Sequence, residues 1–246
     1  MSQERKKSLS VPISKRKNTN NMEYRHELKF EVSDMELKKI EYRIKPFLHK
    51  DAHQNGDYYL IRSLYFDDMY DSCLNENMAG TDKRHKYRIR TYDGSSSVIR
   101  LEKKSKEHNM THKDSVEITE DECRLYMSGK APQLATCKTD LEKELFVSAK
   151  TKCMFPKCIV EYERSAYVMN VGNVRVTFDR NIRGTLNVQD FFEDIIDAVP
   201  VMKSGMHILE VKFDEFLPQY LLEVLDVGSL RRQSFSKYAS VRCVCG

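Results

Sequence analysis

The sequence lacks the features that mark several large classes of protein. Its seven cysteines are scattered, odd in number and without a C-x-x-C pair, which argues against a disulfide framework and favours a reducing, cytoplasmic location. Cys243 and Cys245 lie one residue apart, but no second pair stands near them to complete a metal site. No apolar run approaches the about 20 residues of a membrane span, and the N-terminus lacks the apolar core of a signal peptide. We therefore expect a soluble protein.

An overall excess of positive charge is also missing from most of the chain. The formal net charge is +4, yet residues 1–22 alone contribute +5, so the remainder carries −1. A basic site in the folded part must be a local cluster, which argues against specific nucleic-acid binding. Residues 1–22 contain few large apolar residues, and we expect a disordered basic tail before one domain over 23–246. A solvated tail and one that contacts a polyanion or a membrane surface both stay open.

Hydrophobic periodicity predicts strands and short helices in succession. Capping boxes of the form S/T-x-x-E begin helices after Ser33, Thr119 and Thr139. Arg62 interrupts the apolar face of a strand at 58–66, so that strand is either a sheet edge or part of a functional site. Period-2 alternation predicts further strands at 24–32, 113–117, 158–169, 174–179 and 206–213.

A basic hairpin over residues 86–104 is the strongest single signal. Asp93-Gly94 predicts its turn, although the Ser95-Ser96-Ser97 run indicates a connection longer than two residues. The opposite face carries the ordinary apolar alternation of a strand that buries one side. Such a pair of strands is either solvated on its polar face or binds an anion. Period 2 places five cations on that face: Lys86, Arg88, Arg90, Arg100 and Lys104.

Three strands repeat the pattern Glu-x-Lys, with both residues on one face. If the strands close into a barrel, these pairs and several arginines point inward, while the apolar faces pack outward under helices. A cationic lumen needs glutamate partners, water or a bound polyanion. The simpler alternative is that each pair neutralises its own charge on a solvated strand. The pairs are Glu27 and Lys29, Glu102 and Lys104, and Glu210 and Lys212.

These residue types suit the chemistry of linked phosphates. Arginine binds phosphate oxygens bidentately, lysine acts as a point charge, and a glutamate can hold a divalent cation. Phosphoryl transfer depends on positioning and charge stabilisation, so it needs no covalent nucleophile. The P-loop pattern G-x-x-x-x-G-K-[ST] is absent. The histidines lack a metal-ligand spacing, and we expect His85, His108 and His112 at the surface.

Eight short motifs, in order, resemble the polyphosphate polymerase domain of the vacuolar transporter chaperone family. That family belongs with the triphosphate tunnel metalloenzymes, and the resemblance covers about residues 23–242. The motifs are YRHELKF at 24–30, RSLYFD at 62–67, KYRIR at 86–90, LEKK at 101–104, YERSAY at 162–167, RVTFD at 175–179, LEVK at 209–212 and SKY at 236–238.

The resemblance implies an α+β fold, with an antiparallel closed β-barrel of about eight strands and helices packed outside. It also implies transfer of the terminal phosphate of ATP to a growing inorganic polyphosphate chain that threads the tunnel, with Mn²⁺ or Mg²⁺. ATP and polyphosphate are the expected partners. Matched to the motifs and strand faces, the expected catalytic residues are Arg88, Arg90, Lys104, Arg164 and Lys237. The expected substrate-binding residues are Lys29, Lys86, Arg100, Lys113, Arg175, Lys212, Ser236 and Tyr238. Glu210 is the expected metal ligand, with Glu27 and Glu102 as further candidates.

Two departures from the related proteins keep other functions open. The eukaryotic relatives work beside membrane-spanning subunits, so coupling of this chain to a membrane partner is an open possibility. The first strand reads Arg25-His26-Glu27-Leu28-Lys29, where the hydrolytic relatives typically show Glu-x-Glu-x-Lys. Fewer acids favour a polymerase over a two-metal hydrolase. A metal-dependent triphosphatase and a non-catalytic polyphosphate-binding module are the alternatives.

Overall fold

The computed structural model describes residues 25–108, 110–214, 216–226 and 230–246. The predicted tail at 1–22 lies outside these ranges. Within them the chain forms ten β-strands, six α-helices and three short 3-10 helices. The strands are β1 (Arg25–Ser33), β2 (His49–Lys50), β3 (Tyr59–Asp67), β4 (Arg84–Tyr92), β5 (Ser95–Glu107), β6 (Met110–Ile118), β7 (Phe155–Met169), β8 (Val174–Thr185), β9 (Val199–Pro200) and β10 (Met206–Phe213). The α-helices are α1 (Asp34–Ile44), α2 (Ser72–Met78), α3 (Glu120–Met127), α4 (Asp140–Thr151), α5 (Gln219–Val224) and α6 (Lys237–Cys245). The 3-10 helices are Leu134–Thr136, Val171–Asn173 and Val188–Phe192.

Eight of the strands close into an antiparallel barrel. Their order is β7-β3-β4-β5-β6-β1-β10-β8, and pairing between β7 and β8 joins the two ends. The short strands β2 and β9 add to β7 and β8 on the outside of this ring. This is the α+β closed barrel with outer helices that the sequence predicts, and it is the triphosphate tunnel fold.

The apolar core lies outside the barrel, between the strands and the helices. Leu37, Ile40 and Ile44 of α1 are buried against the outer faces of β1, β8 and β10. A second apolar cluster joins the outer faces of β3, β4, β5 and β7 to α2, α3, α4 and α6. Because the outward side chains are apolar, the alternating inward positions are left to polar residues. The lumen is therefore polar, the reverse of a small filled barrel.

Local capping chemistry explains where the main helices begin. Ser33, Thr119 and Thr139 each accept a hydrogen bond from the backbone N–H three residues on, and the glutamate there bonds back. The three predicted capping boxes are thus confirmed.

Helix α6 lies tight against β8, where a Cβ on Gly184 would stand 2.3 Å from Val241 Cγ2. A side chain at position 184 would push this helix off the barrel.

The basic hairpin differs from the sequence prediction at its turn. Tyr92 pairs directly with Ser95, so the connection is the two residues Asp93 and Gly94, both with positive φ. That geometry is a type I′ turn, which matches the twist of the strands. The expected longer connection through Ser95-Ser96-Ser97 is wrong, since these serines belong to β5. Strand β8 also continues beyond Asp179 to Thr185.

Arg62 is neither on a sheet edge nor in the lumen. Strand β3 lies between β7 and β4, and the Arg62 side chain is buried on the outside of the barrel. Its Nε donates to Glu161 Oε2 at 2.7 Å, and its Nη1 donates to the Phe191 carbonyl at 3.1 Å. The residue therefore belongs to the packing of the 3-10 helix Val188–Phe192 onto the barrel.

None of the helices in the described ranges has the length and apolar character needed to cross a membrane.

Candidate active site

A cavity of about 1430 Å³ occupies the lumen of the barrel. It is larger than the roughly 300–1,000 Å³ of ordinary small-molecule pockets. All eight barrel strands and the start of α6 contribute to its wall. The structure brings every predicted site residue except Glu102 to this wall: Glu27, Lys29, Lys86, Arg88, Arg90, Arg100, Lys104, Lys113, Arg164, Arg175, Glu210, Lys212, Ser236, Lys237 and Tyr238.

Four directly opposed pairs of residues lie on the inward side of β4 and β5, and three of them set cation against cation. Like charges opposed across two strands destabilise a sheet unless something negative lies between them. Successive pairs are about 7 Å apart, so the four pairs extend over roughly 20 Å. We call their seven cations the cation ladder. The pairs are Arg84 and Lys106, Lys86 and Lys104, Arg88 and Glu102, and Arg90 and Arg100.

Glu102 supports the cation ladder from beneath the cavity wall. Arg88 Nε donates to Glu102 Oε2 at 2.7 Å, and Lys113 Nζ donates to Oε1 at 3.0 Å. Arg90 Nη1 lies 3.8 Å from the same carboxylate. Glu102 is fully buried and does not line the cavity. This placement favours a role in orienting Arg88 over the expected role as a metal ligand.

The Glu-x-Lys pairs of β1 and β10 form a square of alternating charge. Lys29 Nζ lies 3.6 Å from Glu27 and 3.5 Å from Glu210, while Lys212 Nζ lies 3.3 Å from Glu210 and 3.9 Å from Glu27. Lys104 reaches across from β5 to Glu27 at 2.6 Å. The antiparallel register, which opposes Glu27 to Lys212 and Lys29 to Glu210, produces this arrangement.

Asp179 is a site residue that the sequence prediction missed. Arg164 binds it bidentately, with Nε to Oδ1 at 2.6 Å and Nη2 to Oδ2 at 2.7 Å. Lys237 Nζ lies 2.5 Å from Asp179 Oδ2 and 3.5 Å from Glu210 Oε1, and 4.7 Å from the centre of the Tyr162 ring. One feature of the sequence could have indicated it: Asp179 lies on the same face of β8 as Arg175, which was a predicted site residue.

Helix α6 is anchored outside the barrel, which fixes Lys237 in the lumen. Tyr238 Oη donates to Asp67 Oδ2 at 2.6 Å and accepts from Arg242 Nη1 at 2.9 Å. The two terminal nitrogens of Arg242 bind Asp71 at 2.9 and 2.8 Å. The ring of Tyr238 lines the cavity, but its hydroxyl points away to Asp67. Tyr238 therefore positions the helix, and only its ring faces the cavity.

The segment before α6 is joined to lysines of the lumen. Lys86 Nζ donates to Ser236 Oγ at 2.8 Å and to Asn77 Oδ1 at 2.6 Å. Lys29 Nζ donates to the Phe235 carbonyl at 2.8 Å. The end of the tunnel at this segment is called the α6 end below. Asn77 and the Phe235 carbonyl are contacts that the sequence prediction did not include.

The opposite end of the tunnel, called the far end below, carries cations that are paired with acids. Arg175 Nη1 lies 2.5 Å from Asp51 Oδ2, and its Nη2 donates to Tyr59 Oη at 3.3 Å. Arg25 Nε lies 2.8 Å from Asp214 Oδ1. Arg100 has no ion pair within the described part of the chain. It is the far-end cation of the ladder that is most available to a ligand.

Three hydroxyl groups hold the central arginines of the cation ladder. Arg88 Nη1 donates to Tyr65 Oη at 3.1 Å. Arg90 Nε donates to Ser63 Oγ at 3.2 Å, and its Nη2 donates to Tyr162 Oη at 3.2 Å. These neutral acceptors fix the guanidinium groups without cancelling their charge. Arg88 is also ion-paired with Glu102, whereas Arg90 lies 3.8 Å from that carboxylate and keeps more of its positive charge for an anion.

The histidines depart in part from the sequence prediction. His108 is exposed at the surface as expected. His85 and His112 are half-buried on the outward faces of their strands, where His85 packs edge-on against Tyr87 and His112 contacts Asp114 at 3.0 Å. Both therefore lie outside the lumen as expected, although neither is fully exposed.

The carboxylates of the lumen are kept ionised by the cations around them. Burial alone would raise the pKa of Glu210, but Lys212, Lys237, Lys29 and Arg164 lower it well below its usual range. Burial alone would also raise the pKa of Glu27, but the charge of Lys104 favours the ionised form and the pKa of Glu27 is lowered. Both groups are therefore acceptors at any physiological pH.

A divalent cation fits these carboxylates only if substrate phosphates supply its remaining ligands. The described residues contain no group of three or more His, Cys, Asp or Glu side chains arranged to hold a metal. Mg²⁺ and similar hard cations are commonly bound through one or two carboxylates plus phosphates. Glu210 and Glu27 are ionised and face the cavity, so they would hold such a cation, which neutralises phosphate charge when it is bound.

Lys104 and Lys103 provide a test of which strand face binds substrate. Lys104 points into the lumen, whereas Lys103 points outward to Glu144. We expect Lys104→Met to lower turnover of a phosphate substrate by roughly 10²-fold, as when one electrostatic stabiliser is removed. Lys103→Met should change turnover by less than about twofold. Steady-state kinetics of the two variants compare them directly, and equal losses would contradict the assigned faces.

Lys86 makes phosphate binding dependent on pH. Burial, helped by Lys29, Lys104 and Arg84, lowers the pKa of Lys86 to about 7. At pH 8 the amine is mostly neutral, and a bound polyanion raises its pKa, so binding takes up protons. Calorimetry of tripolyphosphate binding in buffers of different ionisation enthalpy should show this uptake at pH 8. It should shrink in Lys86→Met and persist in Lys103→Met; proton release by the parent protein would refute the assignment.

Comparison with known proteins finds one matching family model and several solved structures of similar fold. The family model of the VTC domain matches residues 24–245, and no curated protein matches the sequence. Similar solved structures include a proposed adenylyl cyclase from Hippeastrum that shows a dominant triphosphatase activity, with 16% identity, a TM-score of 0.53 and coverage of 91% of this chain and 97% of that one. A protein from Pyrococcus horikoshii OT3 has 14% identity, a TM-score of 0.47 and coverage of 89% and 98%. The Mimivirus capping enzyme triphosphatase has 12% identity, a TM-score of 0.39 and coverage of 85% and 89%. At such identities the likeness to the Hippeastrum protein shows the fold alone.

Proposed function

The chain belongs to the VTC domain family, and we propose that it is an ATP-dependent polyphosphate polymerase. It transfers the terminal phosphate of ATP to a growing chain of inorganic polyphosphate inside the tunnel. The partners are thus ATP and polyphosphate, with no specific nucleic acid. The proposed chemistry needs no membrane partner.

The length of the cation ladder is the observation that carries this proposal. Its four pairs extend over roughly 20 Å, which is longer than the triphosphate group of a nucleotide. The cavity of about 1430 Å³ continues along the whole ladder. A triphosphatase needs to neutralise three phosphates only, whereas a polymerase must hold donor and product at once. The extra cations support the second activity.

The reaction needs positioning and neutralisation more than it needs a nucleophile on the protein. A terminal oxygen of the chain attacks the γ-phosphorus, the bond from that phosphorus to the β–γ bridging oxygen breaks, and ADP leaves. Arg88, Arg90 and Arg164 are fixed by their neighbours and face this charge, while Lys104 and Lys237 supply two further cations. Removal of water by the long tunnel wall favours the chain as acceptor.

Glu210, with Glu27 beside it, would hold the Mn²⁺ or Mg²⁺ ion that neutralises the phosphates. The lysines around these two carboxylates also balance their charge in the protein itself.

The free cysteines support a location in a reducing compartment such as the cytoplasm. All seven are unpaired, and Cys153 and Cys243 are exposed. Exposed free thiols persist where the surroundings are reducing.

Incubation of the purified protein with ATP and Mn²⁺, followed by gel electrophoresis of the products, tests the proposal. Long polyphosphate is the expected product. Release of free phosphate from tripolyphosphate without any chain would identify a triphosphatase instead. Tight polyphosphate binding with no turnover would identify a binding module. A variant Arg90→Ala should lose the activity, and the surface variant Lys130→Ala serves as its control.

A further inference from the structure

We propose that Arg84, Lys106 and Arg232 form a separate phosphate-binding subsite at the α6 end of the tunnel. The subsite would bind phosphates of a linear polyphosphate beyond those held at the centre. It would thereby make the protein bind long chains more tightly than tripolyphosphate. The inference rests on the proposed function, because it assumes that a polyphosphate chain occupies the tunnel.

The three cations converge from separate parts of the chain. Arg84 and Lys106 are directly opposed on β4 and β5. Arg232 lies in the segment before α6, where it forms a β-bridge with Phe30 of β1. All three line the same cavity as the central arginines. A phosphate at this end of the lumen would therefore meet cations from three walls.

No acidic side chain of the described residues forms an ion pair with this cluster. Among the described residues, none of the three cations has a carboxylate within 4.0 Å, and the side chain of Arg84 donates instead to the Thr81 carbonyl. Burial and the nearby Arg84 lower the pKa of the Lys106 amine. At the far end, by contrast, Arg25 and Arg175 are paired with acids. The three cations at the α6 end therefore have no ion-pair partner among the described residues, as is also true of Arg100 in the ladder, and a polyanion can neutralise them.

The cluster is too far from the centre to act on a single triphosphate. It lies two pairs along the hairpin from Arg88, which is about 14 Å. A triphosphate held between Arg88 and Arg90 leaves it unfilled, whereas a longer chain reaches it. The subsite therefore distinguishes ligands by length, with no change in the chemistry at the centre.

A charge-matched pair of triple variants tests the subsite. The first replaces the cluster: Arg84→Gln, Lys106→Gln and Arg232→Gln. The control removes the same charge from cations that do not line the cavity: Lys83→Gln, Lys103→Gln and Arg231→Gln. Affinity for tripolyphosphate and for a long polyphosphate is measured by competition with a fluorescent polyphosphate, over a series of salt concentrations.

The cluster variant should bind long polyphosphate at least about tenfold more weakly, which one or two lost charge-assisted contacts would cause. The slope of log affinity against log salt should fall by about two, as for three lost contacts to a single-stranded polyanion. Tripolyphosphate affinity should stay within about twofold, which also shows that the variant is folded. Equal losses for both ligands, no loss, or the same loss in the control would overturn the subsite. These binding results are separate from turnover: a parent protein that makes no polyphosphate from ATP refutes the proposed function and leaves the length test standing.

Discussion

Arg62→Met should lower the free energy of unfolding by about 3 kcal/mol, since breaking a buried ion pair by removing one partner costs roughly 3–5 kcal/mol. Both partners are almost fully buried, with 2% and 0% of the Arg62 and Glu161 side chains exposed. Arg183 Nε also donates to Glu161 at 2.9 Å. Because Arg183 is unchanged in the variant, Glu161 keeps one cationic partner, and the expected cost is at the lower limit of this range. The backbone carbonyls of Phe191 and Asp194 also lose a donor.

Urea denaturation measures this change, and an exposed ion pair gives the control. Lys143 lies 3.2 Å from Asp140 on the surface of α4, and Lys143→Met should cost less than about 1 kcal/mol. The folded fraction of Arg62→Met should keep its turnover, because Arg62 does not face the lumen. A stable Arg62→Met protein that has lost its activity would contradict the placement of Arg62 outside the site.

Glu210→Gln should lower metal-dependent turnover by roughly 10²- to 10³-fold, as for loss of one strong electrostatic group in a site. Polyphosphate binding without metal should become tighter in the same variant. Glu210 lies within 3.6 Å of four cations, which its charge now balances: Lys29, Arg164, Lys212 and Lys237. With a neutral amide in its place, these cations attract a polyanion more strongly.

The opposite signs of the two effects separate a metal ligand from a residue that only supports the fold. Kinetics with Mn²⁺ and metal-free binding of tripolyphosphate are measured side by side. Glu144→Gln, which removes a surface carboxylate beside Lys103, should leave both unchanged. Loss of binding together with turnover in Glu210→Gln would contradict the role given to this carboxylate.

Strand alternation was enough to predict which face of each strand lines the tunnel. The inward positions of β1, β4, β5 and β10 follow directly from period 2, because the outer faces are apolar and must be buried under helices. The family resemblance then supplied the closure of the barrel, which alternation leaves open. The capping boxes at Ser33, Thr119 and Thr139 predicted helix starts for a similarly local reason.

Features that depend on contacts between distant segments could not be predicted in this way. Asp179 is a site residue because the β7–β8 register sets it opposite Arg164, and nothing in its own strand reveals that partner. Strand alternation places Glu102 at an inward position of β5. Its burial beneath Arg88, away from the cavity, depends on side-chain packing. Arg62 is structural because residues 191–194 fold over it. The predicted length of the turn after Asp93 was wrong for a different reason, because serines occur in strands as well as in loops.

Phosphorus NMR of the protein with ATP and Mn²⁺ tests the polymerase account most directly, because it follows donor, leaving group and product in one sample. As the ATP signals decline, ADP should accumulate together with an equal amount of signal from internal phosphates of a chain, with little free phosphate. Free phosphate formed in step with ADP, without internal-phosphate signal, would contradict the account and identify the tunnel as that of a triphosphatase.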